Sequence, residues 1–195
     1  MENPSPQSTE GQQPRCVTIP IHHPNWREYA FFFICGILVS IPFTLFFGQT
    51  YPFFPEVLVI VVLAPLIEEL AKVFPLFYRH GETERTLVLL GVLIGLGFGI
   101  AEFALYVFSY GVNPIVRIPG VIFHASSAAI TAYGIAKKKP LPYYLLVVGL
   151  HMSNNFFAVT ELSIIGGVGS LLVLVTAYYF AWIVYHKASK DKMVS

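Results

Sequence analysis

Apolar stretches long enough to cross a lipid bilayer recur along this chain of 195 residues. A membrane-spanning helix needs about 20 apolar residues, because it rises about 1.5 Å per residue through a hydrocarbon core about 30 Å thick. The chain is 55% hydrophobic and only 12% charged, whereas soluble domains are about one quarter charged. The stretches cover residues 29–48, 54–78, 86–109, 114–136, 141–160 and 162–186. The sequence therefore predicts an all-α, multi-pass membrane protein, a bundle of about six transmembrane helices in the cell membrane.

Basic residues lie between the stretches in alternate connections, and this pattern predicts how the bundle is oriented. Cytoplasmic loops of membrane proteins carry the excess of Lys and Arg. Both termini are therefore predicted to be cytoplasmic, with residues 1–28 a disordered tail, 29–187 the helical bundle and 188–195 a second tail. The net charge of +1 gives no indication of nucleic-acid binding. The basic residues are Arg15, Arg27, Arg79, Arg85, Lys137, Lys138, Lys139, Lys187, Lys190 and Lys192.

Polar and ionisable side chains lie inside four of the apolar stretches. A charge at the middle of a membrane helix costs roughly 2.5–3.5 kcal/mol, so several of them indicate a function. Measured along each helix, all of them except Lys72 lie roughly 14–24 Å from the predicted cytoplasmic end, in one layer near the middle of the bilayer. In chain order they are Glu68, Glu69 and Lys72, then Glu102, then His124, then His151, Asn154 and Asn155.

Helical spacing predicts that these groups face one another. Gly91, Gly95 and Gly99 form a stripe at four-residue intervals, which lets a neighbouring helix approach closely, and Glu102 shares their face. His151 and Asn155 are four residues apart and project together. Lys72 can partner one of the two adjacent glutamates and leave the other free for chemistry. Arg117, near the outer end of the fourth stretch, is interpreted as an interfacial side chain that reaches toward water.

Carboxylates, imidazoles and an amide in one buried layer suit hydrolysis by an activated water. A carboxylate can act as the general base, and histidines can bind a metal or share the proton transfer. An asparagine can donate to a tetrahedral oxyanion. The sequence has no HExxH motif, no GxSxG motif and no aspartate in the apolar stretches.

Four segments on successive stretches resemble the motifs of the PrsW family of intramembrane proteases. "EELAK" (68–72) resembles its EExxK motif, and "FGIAE" (98–102) resembles its FxxxE motif. "IPGVIFHASSAAITAYGIA" (118–136) is similar to a histidine motif with small residues, and "GLHMSNNF" (149–156) to the final histidine–asparagine motif. The wider group includes CAAX prenyl proteases, bacteriocin-processing relatives and the Aph-1 subunit of gamma-secretase. CAAX proteases have histidine where this chain has Glu102.

The resemblance implies a membrane-embedded endopeptidase, classed as a metalloprotease, with a membrane-anchored protein as substrate and the lipid bilayer as its surroundings. Glu68 or Glu69 would activate water, and the other would be held by Lys72. Glu102, His124 and His151 would either bind a zinc-like metal or relay protons without one, in a metal-free glutamate mechanism. Asn155 would stabilise the oxyanion, and Asn154 would support it. Two alternatives remain open, a non-catalytic scaffold of the Aph-1 kind and a proton- or ion-coupled transporter.

Overall fold

The computed structural model describes residues 21–50, 54–79, 82–159 and 163–194. The part of the predicted N-terminal tail that contains Arg15 lies outside them. The described residues form helices and one isolated bridge between Thr83 and Met193, so the all-α class is confirmed. The long helices are α1 Trp26–Thr50, α2 over residues 56–78, α3 Glu84–Tyr110, α4 Pro114–Ala136, α5 Pro140–Val159 and α6 Ser163–Lys187.

Each helix overlaps one of the predicted apolar stretches. Three of the described helices are long and apolar enough to cross a membrane by length and composition, namely Glu84–Tyr110, Pro114–Ala136 and Ile164–Lys187. The number of transmembrane helices and the side on which the termini lie stay predictions.

Helix α2 is irregular, and its prolines explain why. It consists of an α-helical turn Glu56–Leu58, a π-helical segment Val59–Leu63, an α-helix Ala64–Val73 and a 3₁₀ segment Phe74–Tyr78. Pro65 has no N–H to give to the carbonyl of Ile60, five residues earlier in the wider π turn. Asn155 Nδ2 on α5 donates to that carbonyl at 2.9 Å. A neighbouring helix thus supplies the hydrogen bond that proline removes, as membrane helices require.

Glycines bring α3 into backbone contact with helices on both sides. On the α4 side, a Cβ added at Gly95 would lie 2.1 Å from the carbonyl oxygen of His124. On the α1 side, a Cβ added at Gly36 would lie 2.1 Å from the carbonyl oxygen of Ile94. The close approach predicted from the glycine stripe is therefore present, and it places Glu102 beside α4.

Partly buried ion pairs join the helix ends that carry the basic residues. Arg79 pairs with Glu82 and with Glu28, and Lys137 donates to the buried carboxylate of Glu84 at 2.6 Å. The hydrogen bond with Glu84 raises the pKa of Lys137. The described part of the predicted C-terminal tail lies against the start of α3, where the N–H of Val194 donates to the carbonyl of Glu82 at 2.8 Å.

Candidate active site

Helices α2, α3, α4 and α5 bring together the ionisable side chains that the sequence predicted to converge. Glu68, Glu69, Lys72, His124 and His151 are all buried, and Glu69 and Lys72 have no exposed surface. The imidazole rings of His124 and His151 lie 5.3 Å apart between centroids. The layer of polar groups inferred from helical depth is therefore a single cluster in space.

Lys72 lies at the centre of this cluster. Its Nζ donates to Oε1 of Glu69 at 2.6 Å and to Nδ1 of His124 at 2.8 Å, and Ser127 Oγ lies 3.4 Å away. The sequence left open which of the two glutamates Lys72 partners, and the lysine pairs with Glu69, three residues earlier. The two glutamates are adjacent on α2 and therefore point about 100° apart. The hydrogen bond of the lysine goes to Glu69.

Glu69 also holds the second histidine. Its Oε1 lies 2.8 Å from Nδ1 of His151. With Nδ1 as the donor to this carboxylate, Nε2 of His151 carries the lone pair. That atom lies 4.0 Å from Oε2 of Glu68, a gap that one water molecule can bridge.

Glu102 contacts the opposite side of His124. Its Oε2 lies 2.6 Å from Nε2 of His124, and its Oε1 lies 3.2 Å from the guanidinium of Arg117. The guanidinium also stacks on the ring of Tyr106, 3.8 Å from its centroid. The interpretation of Arg117 as an interfacial side chain is therefore corrected, because it is ion-paired inside the cluster.

A metal ion could be held by Glu69, His124 and His151, whose potential ligand atoms all lie within 4.8 Å of one another. The predicted ligand set had Glu102 in place of Glu69. Glu102 instead pairs with Arg117, and it contacts Nε2 of His124, on the side of the ring away from Lys72. The structure therefore exchanges one carboxylate of the set for another and leaves both histidines in it.

The two asparagines lie at the edge of the cluster. Asn155 uses one amide N–H to bind the carbonyl of Ile60, so one N–H remains for an oxyanion. The backbone carbonyl of Asn154 accepts a hydrogen bond from Ser170 on α6 at 3.4 Å. Both residues line the same cavity as Glu68 and His151.

This cavity has a volume of about 580 Å³ and reaches the cluster from one end of the bundle. Its polar lining near the cluster includes Glu68, Glu102, His124 and His151. Farther out it is lined by Glu56 at the start of α2, Tyr110 at the end of α3 and Val159 at the end of α5. Water therefore has a route to Glu68, which lines the cavity, whereas Glu69 is enclosed.

Several residues of the site were not predicted from sequence. Phe98 lies under the Lys72 ammonium, 4.8 Å from its ring centroid, and Phe123 packs against both imidazole rings. Arg117 precedes His124 by seven residues, which is two helical turns and places both on one face. That spacing was the available signal for Arg117. Phe98 is the first residue of the segment that resembles the FxxxE motif, and that was its signal. Phe123 gave none, since aromatic side chains are abundant throughout the chain.

Comparison with known proteins identifies one family. The sequence model described as PrsW family intramembrane metalloprotease matches residues 24–184. No curated protein and no solved structure matches the chain. The match covers most of the chain, including all four polar segments that meet in the cluster.

Proposed function

The chain belongs to the PrsW family of intramembrane metalloproteases, and from this premise we propose that it hydrolyses peptide bonds of membrane-anchored proteins within the cell membrane. The observation that carries the proposal is that the two glutamates have different surroundings. Glu69 is held by Lys72 and His151, whereas Glu68 faces the cavity beside the free nitrogen of His151.

Glu68 is the proposed general base. A water molecule in the 4.0 Å gap between Oε2 of Glu68 and Nε2 of His151 would donate one hydrogen to each of these atoms. As its oxygen attacks the scissile carbonyl carbon, Glu68 accepts the proton and then returns it to the leaving amine nitrogen. Glu69 keeps His151 in the required tautomer through the hydrogen bond to Nδ1.

The remaining N–H of Asn155 is proposed to donate to the oxyanion that forms on the carbonyl oxygen. A donor of this kind typically contributes a factor of about 10²–10³ in kcat. The bond from Asn155 to the carbonyl of Ile60 fixes the amide in place, because that carbonyl has no helical donor of its own.

Zinc is the proposed metal, held by Glu69, His124 and His151. Two imidazoles and one carboxylate form a donor set found in catalytic zinc sites, so the residues present fit the ion. Bound zinc would polarise the carbonyl and lower the pKa of a bound water. Lys72 would then give up its contacts with Glu69 and His124. With zinc on His151, Glu68 alone would accept the proton of the water. In the metal-free alternative Lys72 remains in place, and the water is shared by Glu68 and His151 as described above.

The proposed arrangement in the membrane has six spans, both termini in the cytoplasm and the cavity open to the opposite side. The connections at the open end, which follow α1, α3 and α5, contain no Lys or Arg, whereas the ion-paired helix ends lie at the other end of the bundle. The substrate would be extended or locally unwound, because a helix hides its carbonyl groups from attack.

The proposed activity would create new protein N-termini in the membrane, and their detection tests it. Cells that produce the wild-type chain should accumulate new protein N-termini within or beside transmembrane segments, and cells that produce Glu68→Gln at the same level should not. Labelling of free N-termini followed by mass spectrometry measures the difference. Identical sets of N-termini in both cultures would contradict the protease proposal and favour the scaffold or the transporter.

Metal content tests the cofactor. Detergent-purified wild-type protein should contain about one zinc ion per chain, and the variant His124→Ala, His151→Ala should contain none. The expectation follows because the variant removes two of the three donors. Elemental analysis gives the stoichiometry, and circular dichroism of both samples checks that they remain helical. Metal-free wild-type protein that cleaves its substrate would establish the glutamate mechanism instead.

A further inference from the structure

The cavity has an apolar part that the proposed chemistry does not use. Beside the ionisable groups, two tyrosines and two asparagines, part of its wall is made of small and apolar side chains from three helices. The volume of about 580 Å³ falls in the range of about 300–1,000 Å³ that is usual for ligand pockets. The apolar lining consists of Val59, Ile60, Ala64, Phe123, Ala158 and Val159.

Gly120 opens one side of this apolar part. It lies on α4, four residues before His124, so the two share a face of the helix. A Cβ added at Gly120 would meet no atom within 4 Å, whereas one added at Gly95 would meet backbone at 2.1 Å. Helix packing therefore does not require glycine here. The space beside Gly120 belongs to the cavity.

The distance from Gly120 to the cluster matches the spacing of a bound peptide. Four residues separate Gly120 from His124, about 6 Å along the axis of α4. An extended chain advances about 3.3 Å per residue. An extended peptide that runs along α4, with its scissile carbonyl at the cluster, would therefore place a side chain within about two residues of the scissile bond against Gly120.

We propose that Gly120 sets the size of the side chain that the cavity accepts, and that substrates place a large apolar residue beside the scissile bond. The inference rests on the proposed protease function. The apolar wall disfavours a charged side chain, whose burial without a partner is costly. The empty space beside Gly120 leaves room for a bulky residue such as Phe or Leu.

Cleavage of a graded substrate series tests the inference. The series carries Ala, Leu, Phe or Trp on either side of a cleavage site found by N-terminal labelling. Wild-type protein in liposomes should cleave the Phe and Leu forms about 10-fold or more faster than the Ala form, since apolar pockets discriminate to that degree. Gly120→Leu should remove or reverse this preference while still cleaving the Ala form, and Gly120→Ala should be intermediate.

Gly167→Leu is the matched control. Gly167 is exposed on α6, and an added Cβ there also meets no atom within 4 Å, so the preference should stay as in wild type. An unchanged preference in Gly120→Leu, or an equal loss for all substrates, would overturn the inference while leaving the protease function in place.

Thiol labelling tests the open space without relying on proteolysis. In a background with Cys16→Ser and Cys35→Ser, the variant Gly120→Cys should react with both aminoethyl and benzyl methanethiosulfonate. Gly167→Cys provides the comparison for a side chain outside the cavity. Failure of the Gly120→Cys thiol to react with either reagent would overturn the inference. Normal labelling combined with no cleavage by wild-type protein would refute the protease function, and the specificity claim would fall with it.

Discussion

Replacing Glu68 with glutamine is expected to lower kcat by about 10²–10⁴-fold, the usual contribution of a general base. Glutamine keeps the size and the hydrogen-bonding reach of the side chain but cannot accept the proton from water. Its effect should lie in kcat rather than in KM, because Glu68 contacts the attacking water and not the bulk of the substrate. Cleavage rates of a reconstituted membrane substrate measure both parameters.

Asp191→Asn supplies the control for a carboxylate changed to an amide. Asp191 is exposed beyond the end of α6, so the cleavage rate of Asp191→Asn should equal that of wild type. The size of the Glu68→Gln effect also distinguishes the two glutamates. Full activity in Glu68→Gln would contradict the assignment of the base and return that role to Glu69.

Replacing Lys72 with methionine is expected to destabilise the protein by about 3–5 kcal/mol, the typical result of removing one partner from a buried ion pair. Lys72 and Glu69 are both fully buried, so water cannot replace the lost ammonium. Methionine fills a similar volume, and the effect therefore reports the charge more than a cavity. Thermal unfolding in detergent, followed by circular dichroism, gives the shift.

Two further variants show whether the loss comes from the unpaired Glu69. Lys190→Met removes an exposed lysine and should leave the unfolding temperature unchanged, since exposed charges contribute little. The double variant Glu69→Gln, Lys72→Met removes both charges and should recover at least part of the lost stability. A double variant less stable than Lys72→Met alone would show that Glu69 is stabilised mainly by His151.

The helices and the membership of the site could be predicted because both depend on local patterns. Apolar length predicts a membrane helix, and the charges of Glu68, Glu69 and Glu102 stand out against it because their burial is expensive. The glycine stripe also predicted the contact between α3 and α4, since a helix without side chains on one face admits another backbone. These inferences needed no knowledge of how the helices are rotated about one another.

Which side chains pair within the site depends on how each helix is rotated about its axis and how deep each residue lies in the bundle. Sequence spacing determines neither. Lys72 is four residues from Glu68 and three from Glu69, and both spacings allow an ion pair. Lys72 pairs with Glu69 because the position of His124 on α4 draws the ammonium to that side of α2. The same rotation brings Glu69, rather than Glu102, into the group that could hold a metal. Helix-to-helix geometry therefore decides the pairings that sequence spacing leaves open.

The central claim is that the water activated by Glu68 hydrolyses a peptide bond, and the origin of the oxygen in the product tests it most directly. Wild-type protein in liposomes should cleave a membrane-anchored substrate in ¹⁸O-labelled water and place one labelled oxygen atom in the new C-terminal carboxylate. Mass spectrometry of the released fragment measures this, with Glu68→Gln as the parallel sample. A product without labelled oxygen, or equal product from Glu68→Gln, would contradict the claim.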